Sequence, residues 1–305
     1  MSRLTTPDLR PRPRGVRGDD AGMATVCFVT CLAWPDISAS DQLVAEALER
    51  QGMTVVGRPW NAPGAMLDGH AAVILRSSWD YHLTPDHYLA WLGRCEEAGF
   101  NLWNPPALVR WNVSKRYLLD LETAGVAIVP TVVTSAERVA DVLETRAWPT
   151  AVVKPAIGAS AHGAQVVERA EGQALAQRII TAARDRDVVV QPFVEEIRSA
   201  GEWSLIFIDG ELTHAVLKRP AAGDFRVQAA FGGKAERATP PESVIAAGRR
   251  AVAALPVAPL YARIDGVATR DGFLVMEAEV NEPALFFLQA PQSAERFAAA
   301  IRARL

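Results

Sequence analysis

The run Tyr261–Pro283 limits how this chain can fold more than any other stretch. It reads as two apolar arms joined at Asp271-Gly272, a dipeptide that suits the positive-φ turns of tight hairpins. Tyr261 to Asp265 lies on one arm and Phe273 to Asn281 on the other. Alternate residues of an extended arm share a face. Glu277, Glu279 and Asn281 therefore point one way, and Phe273 and Val275 start that same face. Met276, Ala278 and Val280 line the other. Pairing the arms converges Asp265, Glu277 and Glu279. Three carboxylates so placed repel by several kcal/mol in a partly buried setting unless a cation neutralises them. Oxygen ligands of this kind suit magnesium, which also takes phosphate oxygens. A solvated acidic face on an edge strand is the alternative reading of these residues alone.

Upstream, the pattern differs. The first 22 residues are rich in Arg and Pro and carry almost no large apolar groups, so a disordered extension is expected, with Met23 a plausible natural start. From there strand and helix alternate: Ala24–Thr30, a helix around Asp41–Arg50 stopped at Gly52, strands Thr54–Val56 and Ala72–Leu75, and a helix opened by Thr84-Pro85 and closed by Gly99. That alternation argues for a parallel sheet with helices on its faces. After Trp111 a helix is expected over about Ser114–Ala124. Strands recur at Ala151–Val153, Val188–Val190 and Trp203–Ile208, and Asp209-Gly210 marks a second hairpin. The fold class is thus α/β followed by α+β.

The 305 residues, 50% hydrophobic, suffice for two lobes or one large body. A net charge of -3 gives no general attraction to nucleic acid or anionic membranes. No apolar run approaches the roughly 20 residues that span a bilayer, and no signal-peptide core opens the chain, so a cytoplasmic protein with no membrane partner is expected. Cys27, Cys31 and Cys95 are too few for a disulfide framework, and the five histidines lack zinc-ligand spacing.

Several basic residues stand in apolar settings. Lys154 ends a strand and leads into Ala156–Ala164, a loop of small residues around Ser160 whose backbone N–H groups could approach an anion. Lys115 opens the helix after Ser114, where a helix N-terminus favours phosphate, or it is a snorkelling surface residue. Lys218-Arg219-Pro220 and Arg226 flank glycines, an arrangement that suits a polyanion or carboxylate, or a solvated basic loop. Gln191-Pro192-Phe193-Val194 breaks one strand, and Gly201-Glu202 opens the next.

In order and spacing, Lys115, Lys154 with its loop, Gln191 to Val194, Gly201-Glu202, Arg263-x-Asp265 and Glu277-x-Glu279 resemble the ATP-grasp superfamily from about Trp111 to Glu282. Arg76-Ser77-Ser78-Trp79-Asp80-Tyr81, Arg110-Trp111-Asn112, Lys218-Arg219-Pro220, Gly223-Asp224-Phe225-Arg226-Val227-Gln228 and Tyr261-Ala262-Arg263 resemble the branch containing the cyclo-ligase that closes O-ureido-D-serine to D-cycloserine. The resemblance implies an ATP-grasp fold behind an N-terminal parallel α/β domain. It implies a domain over 23–110, a lobe with the phosphate loop over 111–190, and a lobe with the metal site over 191–305. It further implies ATP and Mg2+. Lys115, Lys154 and Ser160 would meet the phosphates, Gln191, Phe193 and Val194 the adenine through backbone, and Glu202 the ribose. Asp265, Glu277 and Glu279 would hold magnesium. Arg263 would stabilise the transferring phosphoryl group, and Lys218 and Arg226 would meet phosphate or substrate carboxylate. The family's metal motif commonly ends Glu-x-Asn, so Glu279 with Asn281 is a second register. The turn at Asp271-Gly272 favours Glu277 and Glu279, with Asn281 behind them. His162-Gly163 replaces a more charged loop.

The implied chemistry is activation of a small amino-acid-like carboxylate as an acylphosphate, then attack by nitrogen, within one molecule or between two. A phosphotransferase is the rival on the same fold, and a non-catalytic nucleotide-binding module is the rival outside enzymes. Arg76, Ser77, Trp79, Asp80 and Tyr81 are expected either at the substrate pocket or in interdomain packing. A homodimer is the default assembly.

Overall fold

The computed structural model describes residues 24–63, 67, 69–159, 161–171, 187–221, 224, 226–228 and 231–305. The expected N-terminal extension, Ser160, Gly223 and Phe225 lie outside them. Three sheets organise the rest.

The first sheet is parallel, with strands β1 (Thr25–Thr30), β2 (Thr54–Pro59), β3 (Ala72–Leu75) and β4 (Leu102–Trp103) in the order β2-β1-β3-β4. Strands β1 and β3 are almost wholly buried, as expected for parallel strands covered on both faces. Helix α1 (Ala39–Arg50) links β1 to β2, and Ser38 caps it by accepting from Asp41 N at 3.1 Å. Helix α2 (Pro85–Glu97) links β3 to β4, with Pro85 at its first turn. The chain leaves β1 for β2 on one side and returns to β3 on the other. A crevice forms beyond the carboxyl ends of β1 and β3 at such a switch, where Ser77 to Tyr81 follow.

The helix expected over about Ser114–Ala124 is shorter, and a second helix precedes it across a break. Helix α3 (Pro106–Val113) was not read from the sequence, and α4 (Tyr117–Thr123) starts only at Tyr117. Ser114 is extended between them, because the Lys115 N–H leaves the helical path to donate to Ala156 O at 2.7 Å. Lys115 therefore sits in a turn beside the Lys154 strand rather than on a helix N-terminus. The domain boundary expected at 110 falls within α3.

A second, antiparallel sheet has the order β5-β8-β6-β7, built from β5 (Val132–Thr134), β6 (Thr150–Pro155), β7 (Gln165–Glu168) and β8 (Val188–Pro192). Helix α5 (Val139–Arg146) covers it through Val139 and Leu143. The boundary expected at 190 falls within β8, whose ladder with β6 keeps Gln191 and Pro192 in this sheet.

The third sheet is antiparallel with order β11-β10-β9-β12-β13: β9 (Glu202–Ile208), β10 (Glu211–Arg219), β11 (Lys234–Arg237), β12 (Tyr261–Thr269) and β13 (Gly272–Glu279). A short turn of helix, α6 (Glu196–Ser199), precedes it. Both Asp-Gly dipeptides sit at its hairpin turns. Helix α7 (Glu242–Ala253) and α4 pack on one face around Leu205, Phe207, Val275 and Ala278. Gly248 lets α7 come close, since a Cβ there would lie 2.4 Å from Leu205 Cδ1. The C-terminal helix α8 (Gln292–Arg302) returns to the first sheet, where Phe297 and Ile301 share a core with Phe28, Leu48, Ile206 and Tyr261. No helix among the described residues is long and apolar enough to cross a membrane.

Candidate active site

A cleft of about 550 Å³ lies between the three sheets. Its floor is β12–β13. Asp265 pairs with Glu277, but Gly266 pairs with Val275, so Met276 is an extra residue on β13. This bulge shifts the alternation by one. Phe273 and Val275 turn into the core with Ala278 and Val280, while Met276 joins Glu277 and Glu279 along the cleft. The uninterrupted alternation expected from the sequence is corrected accordingly. Burial drives the difference, because the shift takes two large apolar side chains off the charged face. Gly266 permits it: a Cβ there would meet Phe273 Cζ at 2.4 Å and Leu274 O at 2.5 Å.

Oxygens of Asp265, Glu277 and Glu279 come within 4.8 Å of one another. Asn281 does not follow them. Strand β13 ends at Glu279, and Asn281 turns away so that Oδ1 accepts from the Tyr88 hydroxyl at 2.6 Å. Arg263, on the same strand as Asp265, donates to its carboxylate at 2.8–3.1 Å and to Glu279. Ser204 also donates to Asp265. Lys218 Nζ lies 2.5 Å from Glu202 and 3.4 Å from Asp265. Across the cleft, Lys154 reaches Glu277 at 2.7 Å and Lys115 at 3.6 Å, and Lys115 also donates to Gly158 O at 2.9 Å.

The protonation states follow from these neighbours. Burial opposes ionisation of Asp265, but Arg263 and Lys218 outweigh it and hold the carboxyl below its usual range. Lys115 and Lys154 likewise hold Glu277 well below that range despite burial. Burial pushes Glu279 up to about 7 against the pull of Arg263, with Asp265 and Glu277 adding to the rise. Three acids therefore converge with four cations, Arg263, Lys218, Lys115 and Lys154, packed around them. Hard oxygen donors at this spacing fit a magnesium ion.

The remaining expected residues divide. Glu202 and Arg226 line the cleft, and Arg226 pairs with Asp224 at 2.8 Å and stacks over Phe231 at 3.7 Å. The Gln191 side chain is buried and donates to Thr131 at 2.9 Å. Val194 lines the cleft beside Val129, Val152, Ile197 and Met276, whereas the Phe193 ring packs under Arg198 at 4.4 Å. At the switch point, Trp79 and Tyr81 face the cleft. Arg76 and Asp80 do not. Arg76 is buried against Asp41 at 2.9 Å, and Asp80 accepts from Trp60 and Asn61 at 2.7 and 2.8 Å. Glu282, which lines the cleft, was missed as a site residue. Its only signal was its place just past the acidic strand.

Comparisons with known proteins identify the family. The family model described as the N-terminal domain of D-cycloserine synthetase DcsG matches residues 26–104, and the model of the ATP-grasp domain of prokaryotic glutathione synthetase matches residues 119–249. The cycloserine biosynthesis protein DcsG of Streptomyces lavendulae is 31% identical over 280 residues, 85% of this chain and 92% of that protein. A glutathione synthetase of Prochlorococcus marinus is 29% identical over 213 residues, covering 67% and 66%. The crystal structure of D-cycloserine synthetase DcsG superposes with a TM-score of 0.83 at 28% identity, over 92% of this chain and 99% of that one. The chain therefore belongs to the ATP-grasp superfamily, in the branch of D-cycloserine synthetase, and is an ATP-dependent ligase that forms carbon–nitrogen bonds.

Proposed function

We propose that this ligase activates the carboxylate of a small amino acid as an acylphosphate on the β12–β13 floor, and that its substrate is O-ureido-D-serine, which it closes to D-cycloserine. The observation that carries the reading is the convergence of Asp265, Glu277 and Glu279 with Arg263 and Lys218 on one side of the cleft, opposite Lys115 and Lys154. The likeness to the cycloserine biosynthesis protein supports the substrate.

Enzymes of this superfamily use ATP with Mg2+. Asp265, Glu277 and Glu279 would hold the ion, which supplies neutralisation of phosphate charge when bound. Lys115 and Lys154, now leaning on Glu277, would be released to the phosphates. The apolar wall of Val129, Val152, Ile197 and Met276 beside Gln191 to Val194 suits a flat base, with Glu202 toward the ribose. Arg263 is fixed by two carboxylates, so it meets the transferring phosphoryl group without reorganising. The substrate carboxylate oxygen then attacks the γ-phosphorus and ADP leaves. The oxygen-bound ureido nitrogen displaces phosphate from the acyl carbon, and water cleaves the carbamoyl group from that nitrogen as CO2 and ammonia, leaving D-cycloserine. Lys218 and Arg226, which line the cleft, would orient the carboxylate.

Incubation with ATP, Mg2+ and O-ureido-D-serine, followed by mass spectrometry, tests the substrate. D-cycloserine is the expected product. ADP formation with a different amino acid and no D-cycloserine would make the enzyme an intermolecular ligase. Hydroxylamine added during turnover should give a hydroxamate, which a phosphotransferase making a stable phosphoester would not.

A further inference from the structure

Beyond β13 the chain runs from Val280 to Leu285 outside any strand or helix, and side chains hold every carbonyl of that run. Val280 O accepts from the Asn104 amide at 2.7 Å, and Asn281 O lies 2.8 Å from the Tyr261 hydroxyl, sharing its one proton with Leu75 O at 2.7 Å. Glu282 O accepts from the Trp79 indole at 3.2 Å and Pro283 O from Arg76 at 3.0 Å. Ala284 O accepts from Arg263 at 3.2 Å, and Leu285 O faces His214 Nε2 at 2.8 Å. Six ordered side chains, each losing rotamer freedom, are spent on a segment with no ladder of its own. Such over-determination fixes whatever the segment presents.

What it presents to the cleft is Glu282, the one charged side chain in the run. Glu282 is 8% exposed and lines the cleft. Five carboxylates line it among the described residues. Glu202 and Asp265 meet Lys218, Glu277 meets Lys154, and Glu279 meets Arg263. Glu282 alone has no ion pair among the described residues: its own backbone N–H is the donor it meets, and Lys115 and Arg263 act on it only from a distance. Burial, with Glu279 adding to it, pushes the Glu282 carboxyl up to about 8, so it rests protonated near neutral pH and ionises when a cation arrives with the ligand. A carboxylate accepts hydrogen bonds only, so the partner is a donor, and a cation compensates it best. Trp79, which fixes the Glu282 carbonyl, lines the same cleft, and aromatic rings favour ammonium groups.

We infer that Glu282 binds the α-ammonium group of the amino-acid substrate and so sets which end of that molecule reaches Arg263. The inference rests on the reading of this cleft as the place where an amino-acid carboxylate is activated. It makes Glu282 a specificity residue: carboxylic acids without the amine are disfavoured because they bring no cation for its carboxylate to ionise against.

The test measures steady-state ADP release by the wild type and Glu282→Gln. The substrates are O-ureido-D-serine and a panel of amino acids, each beside the matching acid without its amino group. The wild type should prefer the amine-bearing member at least tenfold in kcat/KM. Glu282→Gln should raise KM for that member at least tenfold, leave KM for ATP within twofold, and treat the deaminated acid as the wild type does. An active wild type that uses deaminated acids equally well overturns the inference alone, as does a variant that loses both substrates in equal proportion. A wild type silent with every carboxylate removes the amino-acid ligase reading and the inference together. If Glu282→Gln fails to fold, the wild-type preference for amines still decides.

Discussion

Asp265 has charged neighbours of both signs: Arg263 and Lys218 beside it, Glu277 and Glu279 opposite. Asp265→Asn removes one oxygen charge from the trio while leaving its shape. Turnover should fall by about 10²-fold or more, and Mn2+ binding followed by electron paramagnetic resonance should weaken with it. Other residues bear on stability alone. His214 is buried, which pulls its pKa down to about 4 from 6.5. Between those values the unfolded chain binds more protons than the folded one, so stability is full above 6.5 and lost as pH falls toward 4, by about 3 kcal/mol at most. Urea midpoints at pH 7.5 and 5 should show this slope in the wild type and a flatter one in His214→Gln. Burial pushes the Cys27 and Cys95 thiols up to about 12, and Cys31 is raised as well. All three should resist Ellman's reagent until the protein unfolds.

At the scale of elements, much was legible because local chemistry and burial agreed. Ala72–Leu75 appears as β3, and both Asp-Gly dipeptides close hairpins. The expected helices at Asp41 and Thr84-Pro85 are α1 and α2. Helix α3 was not legible: it has only eight residues, and it is held by burying Leu108 in one core and Val109 and Val113 in another. The bulge at Met276 was also hidden, since period-two reading assumes an unbroken ladder. Its enabling residue makes a prediction. Gly266→Ala would force a Cβ against Phe273 and Leu274 O beside the metal trio. Overpacking of this kind costs roughly 1–3 kcal/mol. Denaturant unfolding should show that loss, and activity should fall further than stability alone accounts for.

Over the whole molecule, the first sheet and the β9–β13 sheet are one body. Phe28, Leu48, Ile206, Tyr261 and Phe297 share a core, and Asn104 bonds Leu260, Tyr261 and Val280 together. Arg76 is fully buried, paired with Asp41, bound to Pro283 O, and set 5.2 Å from the Tyr261 ring. A local motif leaves Arg76 open between substrate pocket and packing, because its partners at positions 41 and 283 are distant in sequence. Arg76→Ala leaves Asp41 buried without its partner, which costs about 3–5 kcal/mol. Calorimetry should show one lowered transition spanning both sheets rather than early melting of the first alone. The roles proposed for the cleft all serve one event, transfer of the γ-phosphoryl group to a carboxylate oxygen. Turnover of substrate labelled with 18O in its carboxylate tests that event directly. The account predicts one 18O atom in each phosphate released; unlabelled phosphate, or label in AMP, would contradict it.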